Sequence, residues 1–217
     1  MHKTERRHGH DRQGKAPGMP GWVIRNYDLF WRILSRGRTE TNHRATLDLA
    51  GYQPTDDLLD IGCGTGTLVL VAADQPGPSG QLVGLDVEEQ MIRQATAKAE
   101  RAGVGDRVTF AAGAITAVPY PDESFDVVTS SLMLHHVDEH EHLPGFRELH
   151  RVLRPGGRIV IADINLATRS SISRLHGVRQ PTEDTVRRDV PSQLEAAGLQ
   201  IDRTGRHHIR QRLEGVA

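Results

Sequence analysis

Asp60, Gly62, Gly64 and Gly66 fall within the segment LLDIGCGTGT, Leu58–Thr67. Asp86 closes a second apolar run, Leu82-Val83-Gly84-Leu85, twenty residues beyond the last of these glycines. Further along stand an adjacent pair, His135 and His136, and then Asp163. Glycines at this spacing let a chain reverse through φ > 0 and let a ligand approach the backbone. A carboxylate at a strand tip offers two oxygens at the spacing of a ribose diol. Histidine is the side chain best suited to take a proton from a hydroxyl near neutral pH, and a carboxylate can orient it. The chemistry on offer is therefore retention of an adenosine-containing cofactor and removal of a proton from an acceptor.

Positioning those groups needs a strand, a glycine turn, a helix near Thr65–Asp74 and a second strand ending at Asp86. The partly positive helix N-terminus would face the ligand. Strands are expected at Leu58–Ile61, Gln81–Val87, Arg107–Ala112, Phe125–Ser130 and Arg158–Asp163, with a final hairpin of Leu199–Thr204 and Arg206–Arg212. Helices are expected at Trp22–Arg36 (with Val23 and Tyr27 on its apolar side), Thr41–Ala50, Glu88–Ala102, Leu143–Leu153 and Pro191–Ala197. Pro144 would sit in the first turn of its helix, and Pro155-Gly156-Gly157 would end it. Strands alternating with helices predict an α/β fold, a mostly parallel sheet covered on both faces. The carboxyl ends of its strands would line the ligand crevice.

The glycines alone do not choose a cofactor. The spacing is G-x-G-x-G rather than the dinucleotide G-x-G-x-x-G, and Asp60 precedes the first glycine by two positions. That carboxylate repels a pyrophosphate and attracts the ammonium of a methionine moiety, so S-adenosylmethionine is favoured over a nicotinamide dinucleotide. The bland alternative is that Asp60 only caps the turn.

The chain has 217 residues and net charge −1, which fits one α/β domain. Residues 1–44 carry ten Lys/Arg against four Asp/Glu, so the head is basic and the remainder acidic. Residues 1–20 are poor in apolar side chains and are expected to be a disordered tail. The lone cysteine, Cys63, excludes an intrachain disulfide. Its place inside the glycine turn suits a small filler beside the cofactor. No apolar run approaches a membrane span and no signal peptide is visible, so a cytoplasmic protein is expected. Aromatic residues total 4% and form no basic, aromatic-interleaved stripe, which argues against nucleic acid. His140, His142 and His150 on an acidic helix start read as a solvated face rather than a metal site. Arg203, Arg206, His207, His208 and Arg210 make the last hairpin basic.

LLDIGCGTGTL, VGLDV, VPYPDESFDVV, LMLHHV and RELHRVLRPGGRIVIAD, in this order, resemble class I S-adenosylmethionine-dependent methyltransferases. The likeness spans about residues 22–205 and is strongest to the small-molecule branch of quinone-ring and sugar O-methyltransferases. It implies a Rossmann-like seven-stranded sheet with an antiparallel last strand. It places Asp60, Gly62, Cys63, Gly64 and Gly66 around the methionine part, Asp86 on the ribose and Val87 beside the adenine. Met91 either covers the adenine edge or is plain core, and Ser130 or Ser131 lies near the methionine moiety. Relatives commonly carry an aspartate on the adenine amino group where this chain has Ala114. The Ile115 backbone and apolar walls would then hold the base. The resemblance places His136, or His135 if the turn faces the other way, as general base, with Asp163 orienting it or the acceptor. Tyr27-Asp28 is similar to the quinone branch, so a quinone or phospholipid acceptor met peripherally at a membrane is the main variant. A nicotinamide oxidoreductase and a non-catalytic member of the fold are the competing classes. Residues 21–50 and 164–190 are expected to cap the site, and the chain to act as a monomer or homodimer.

Overall fold

The computed structural model describes residues 26–77, 80–163, 185–204 and 211–214. The tail 1–20, Trp22 and Val23, the cap 164–184, and Arg206, His207, His208 and Arg210 lie outside these residues. Five parallel strands make the centre: β1 (Leu58–Ile61), β2 (Leu82–Asp86), β3 (Val108–Ala112), β4 (Phe125–Ser131) and β5 (Leu153–Ala162). Their order is β3-β2-β1-β4-β5. The chain starts at β1, runs outward to β3, and returns to β4 on the other side of β1. A crevice opens at that reversal, outside the carboxyl ends of the strands. The register sets Asp60 between Gly84 and Thr129.

Side chains alternate across the sheet, and alternate residues feed two cores. Leu59, Ile61, Val83, Leu85, Val128, Ile159 and Ile161 pack with Phe146 and Leu149 of α5 (Glu139–Val152) and Leu194 of α6 (Thr185–Ala196). Leu58, Leu82, Val127 and Val160 pack instead with Leu47 of α2 (Thr39–Leu49) and Leu68 and Val69 of α3 (Thr67–Ala73). The expected parallel α/β sandwich, with helices on both faces, is present. Helix α4 (Glu89–Arg101) buries Met91, Ala95 and Ala99, and a short helix α1 (Tyr27–Leu34) stands at the carboxyl edge. Beside β5, strand β7 (Gln211–Glu214) pairs antiparallel with it and with β6 (Gln200–Thr204).

Several boundaries differ from the sequence reading. Helix α5 begins at Glu139, so Pro144 lies in its interior rather than its first turn. The missing N–H costs one intrahelical bond, and the buried face of Phe146, Leu149 and Val152 outweighs it. Pro155-Gly156-Gly157 does not end an element; it lies inside β5, where the register jumps between Phe125 and Val127 of β4. Helix α6 starts at Thr185, within the segment read as loop, and contains Pro191. The last strand is Gln211–Glu214, later than expected.

Candidate active site

The chain leaves β1 through Gly62, Gly64 and Gly66, all with φ between +54° and +74°. Each is a left-handed residue where a side chain is strained. The space beside two of them belongs to the protein itself. A Cβ on Gly62 would lie 2.1 Å from Met133 Cγ, and one on Gly66 would lie 2.5 Å from Phe110 Cζ. Only Gly64 has ordinary room, 3.5 Å from the Tyr27 ring. Gly62 and Gly66 thus serve internal packing, whereas Gly64 meets the Tyr27 ring at ordinary contact distance. Cys63 is buried, and a Cβ on Gly84 would lie 2.9 Å from its sulfur, which makes it a filler between turn and β2.

Two carboxylates face this turn. Asp60 is 2% exposed and accepts the Thr129 hydroxyl proton at 2.7 Å. Burial pushes its pKa up to about 7; the Thr129 bond opposes the shift and the charge of Asp86 adds to it. No cation pairs with it among the described residues. A ligand ammonium would supply the missing charge, which fits a methionine moiety better than a mere turn cap. Asp86 accepts Gly64 N–H at 2.8 Å and Glu88 N–H at 2.9 Å, one on each oxygen. Each oxygen keeps a free lone pair, enough for two ribose hydroxyls. Burial raises the Asp86 pKa, and those two backbone bonds pull it back.

The flanking positions sort themselves. Val87 is 65% exposed beside Asp86, an open apolar wall. Met91 is buried. Gly113 N–H donates to the Asp86 carbonyl (3.0 Å), so Ala114 and Ile115 lie against the tip of β2. Ala114 bridges to Ala117, and the Ile115 side chain turns inward against Gly145. Ser130 is buried with its Oγ lacking a hydrogen-bond partner. A polar ligand atom would satisfy that hydroxyl.

The histidines follow β4. Leu132 adopts φ +57°, an uncommon state for leucine that turns the chain so that Met133 covers Gly62. A short 3-10 turn, Leu134–His136, comes next. Asp163, just past β5, grips His135 twice: Oδ2 accepts the His135 backbone N–H at 3.0 Å, and Oδ1 lies 2.7 Å from ring Nδ1. With Nδ1–H donating to Asp163, Nε2 is left as an acceptor. Asp163 therefore pairs with His135, and the exposed ring of His136 stacks on His135 at 4.0 Å between centroids.

One expectation about the other histidines changes. His142 is not on a solvated face. It is 4% exposed, its Nε2 lies 3.1 Å from the Val137 carbonyl, and it packs on Phe146. Among the described residues no group of His, Cys, Asp or Glu is placed to hold a metal.

Residues 58–157 match the model of a family described as a methyltransferase domain. These residues form a methyltransferase domain. Its parallel sheet and glycine turn have the arrangement expected of a class I, S-adenosylmethionine-dependent methyltransferase domain. The chain is 33% identical over 139 residues to a demethylmenaquinone methyltransferase of Symbiobacterium thermophilum, covering 64% of this chain and 54% of that one. It is 38% identical over 148 residues to a 27-O-demethylrifamycin SV methyltransferase of Amycolatopsis mediterranei, covering 67% and 53%. The chain thus spans little more than half the length of these curated relatives. A solved S-adenosylmethionine-dependent methyltransferase from Aquifex aeolicus has the same fold, with TM-score 0.69, 22% identity, and 91% and 97% of the two chains covered.

The methyltransferase domain so matched contains the glycine turn, Asp86, Ser130 and both histidines. It leaves out Asp163 and α1. The sequence reading gave no site role to Tyr27, Asp28, Lys98 or Met133. Asp28 accepts the Thr65 hydroxyl proton at the domain's turn and, through its other oxygen, Lys98 Nζ at 2.7 Å. Lys98 also donates to Thr67 Oγ1 at 2.8 Å, so the side chains at the start of α3 are tied to α1 and α4 by the chain's own ion pair. Tyr27 lies over Gly64, and burial pushes its pKa up to about 12. Beyond the expected cap at 21–50 and the likeness carried by Tyr27-Asp28, the sequence trace of this roof is the polar pattern of Thr65, Thr67 and Lys98.

Proposed function

We propose that this chain transfers the methyl group of S-adenosylmethionine to oxygen or carbon of a small-molecule acceptor by in-line displacement. The observation that carries this reading is the coexistence of an unpaired buried carboxylate, Asp60, with a His135–Asp163 pair on neighbouring strand ends. Asp60 meets the ammonium. Gly62, Cys63 and Gly64 shape the turn around the methionine part, and Gly66 keeps its exit to α3 closely packed. Asp86 takes the ribose hydroxyls; Val87, Met91, Ala114 and Ile115 border the adenine, and Ser130 donates to the methionine part. Bound there, the cofactor supplies a methyl group already activated on a sulfonium.

The remaining work is alignment and proton removal. His135 Nε2 accepts the acceptor's hydroxyl proton. Asp163 holds the ring's tautomer and stabilises the imidazolium. His136 flanks the acceptor. Water is kept from the turn by Tyr27 and Met133. The two outer strands belong to the working sheet, making it seven-stranded with an antiparallel last strand; the Arg158–Glu214 and Ile159–Leu213 pairs support this. The chain is one domain with caps at 21–50 and 164–190, cytoplasmic, acting as monomer or homodimer. A second reading, methylation of a quinone-ring carbon, is favoured by the likeness to the Symbiobacterium protein.

The test is release of S-adenosylhomocysteine with a panel of quinols, phenols and glycosides. Turnover with at least one class is expected. His135→Ala should lower kcat by roughly 100-fold or more with hydroxyl acceptors while cofactor Kd stays within about twofold. Full turnover in that variant defeats the base assignment. An absence of turnover with every class, in a protein that binds the cofactor, favours the non-catalytic reading.

A further inference from the structure

Helix α1, YDLFWRIL, carries its apolar residues round one wide arc whose two ends differ. At one end Tyr27 covers Gly64 of the glycine turn and meets Trp31, one turn on, in edge contact at 6.1 Å. Leu29 and Ile33, also one turn apart, stand roughly 200° round the helix from them. They are 51% and 70% exposed. Val87 is also open, and the adenine accounts for it. Nothing in the methyl-transfer reading accounts for Leu29 and Ile33.

The charges around the pair are of one sign. Arg32, Arg36 and Arg38 are exposed and make no ion pair with any described residue. The nearby acids are already engaged, Asp28 by Lys98 and Glu40 by Arg44. The preceding 25 residues add six Lys/Arg against two Asp/Glu. A second copy on this face would set arginines against arginines. An anionic lipid surface complements both features, apolar side chains for the headgroup–acyl boundary and guanidinium groups for the phosphates.

We propose that Leu29 and Ile33, flanked by Arg32, Arg36 and Arg38, dock this protein on an anionic bilayer. The same helix that roofs the cofactor turn then lies on the membrane, beside an apolar acceptor dissolved there. The acceptor part of this inference rests on the methyltransferase reading; the docking part does not.

The test is co-sedimentation of the full chain with vesicles of phosphatidylcholine alone or with about one-third phosphatidylglycerol, at low and high salt. Binding is expected to the anionic vesicles only and to weaken with salt. Leu29→Ser with Ile33→Ser, and separately Arg32→Glu with Arg36→Glu, should each cut binding by about tenfold or more. Calorimetry on the same variants should give a cofactor Kd within about twofold of wild type, because neither pair faces the turn. Absence of vesicle binding, or equal binding by the variants, overturns the proposal. So does a wild-type dimer in the ultracentrifuge that Leu29→Ser with Ile33→Ser dissolves. Vesicle binding without any cofactor binding would overturn the methyltransferase reading and leave the docking surface standing.

Discussion

Asp60 concentrates the electrostatics of the site in one side chain. Its folded pKa, about 7, lies above the unfolded carboxylate range because burial disfavours the ion. The native state therefore binds more protons than the unfolded chain between about pH 4 and 7, and stability from this group falls as pH rises through that window. Asp60→Asn should raise the melting temperature at pH 8 by a few degrees, about what 1 kcal/mol produces in a domain of this size. The same variant should weaken S-adenosylmethionine binding by roughly tenfold or more, since the ammonium loses its partner. In the wild type, affinity should rise from pH 6 to 8 as Asp60 ionises, and the variant should be flat. A fluorimetric melt and a binding titration at three pH values check all of this. At this scale the sequence was informative where chemistry sits next to a motif: Asp60, Asp86 and the histidines. It did not show the contacts of Asp28, whose partners Thr65 and Lys98 lie 37 and 70 residues away. The pairing of His135 with Asp163, 28 residues away, also needed the fold. His136→Ala should accordingly retain most of the turnover that His135→Ala loses, in paired kcat measurements.

Elements impose a different set of requirements on the same glycines. Gly84, in the middle of β2, has no room for a Cβ, which would lie 2.6 Å from Phe110 Cδ1. Gly84→Ala should cost about 1–3 kcal/mol in urea unfolding through overpacking. Gly64→Ala meets no such wall, so its loss should come from the left-handed backbone and from the cofactor. Unfolding and binding measurements on the two variants would separate packing from ligand approach. Comparable cofactor losses and comparable destabilisation in both would contradict the distinction. Element identity was legible wherever hydrophobic period was strong, as in Leu58–Ile61 and Leu82–Asp86. Boundaries failed at Pro144, Pro155 and Pro191, where tertiary packing overrides local breaking signals. Burial of Phe146 and Leu149 carries α5 through its proline, and pairing with β4 resumes past the Pro-Gly-Gly bulge.

The whole molecule is two cores separated by one sheet, and the site lies on the edge they share. Phe146→Ala opens a cavity in the core that backs the histidine turn, at a cost of about 3–5 kcal/mol. Arg154 ties Asp57 and Asp126 at the opposite edge, but all three are partly exposed, so Arg154→Ala should cost under about 1 kcal/mol. The parallel sheet and its helical layers were legible from strand–helix alternation; a cap at residues 21–50 was expected, but the contacts by which α1 meets the turn, Tyr27 over Gly64 and Asp28 on Thr65 and Lys98, join distant segments that only the fold brings together. The central claim is that this crevice holds S-adenosylmethionine through Asp86 and the glycine turn. Calorimetric titration of the full chain with S-adenosylmethionine and S-adenosylhomocysteine, beside Asp86→Ala, tests it most directly. The account predicts micromolar binding of both ligands, weakened by about tenfold or more in a variant that still melts cooperatively. Binding of neither ligand, or equal binding by Asp86→Ala, would contradict it.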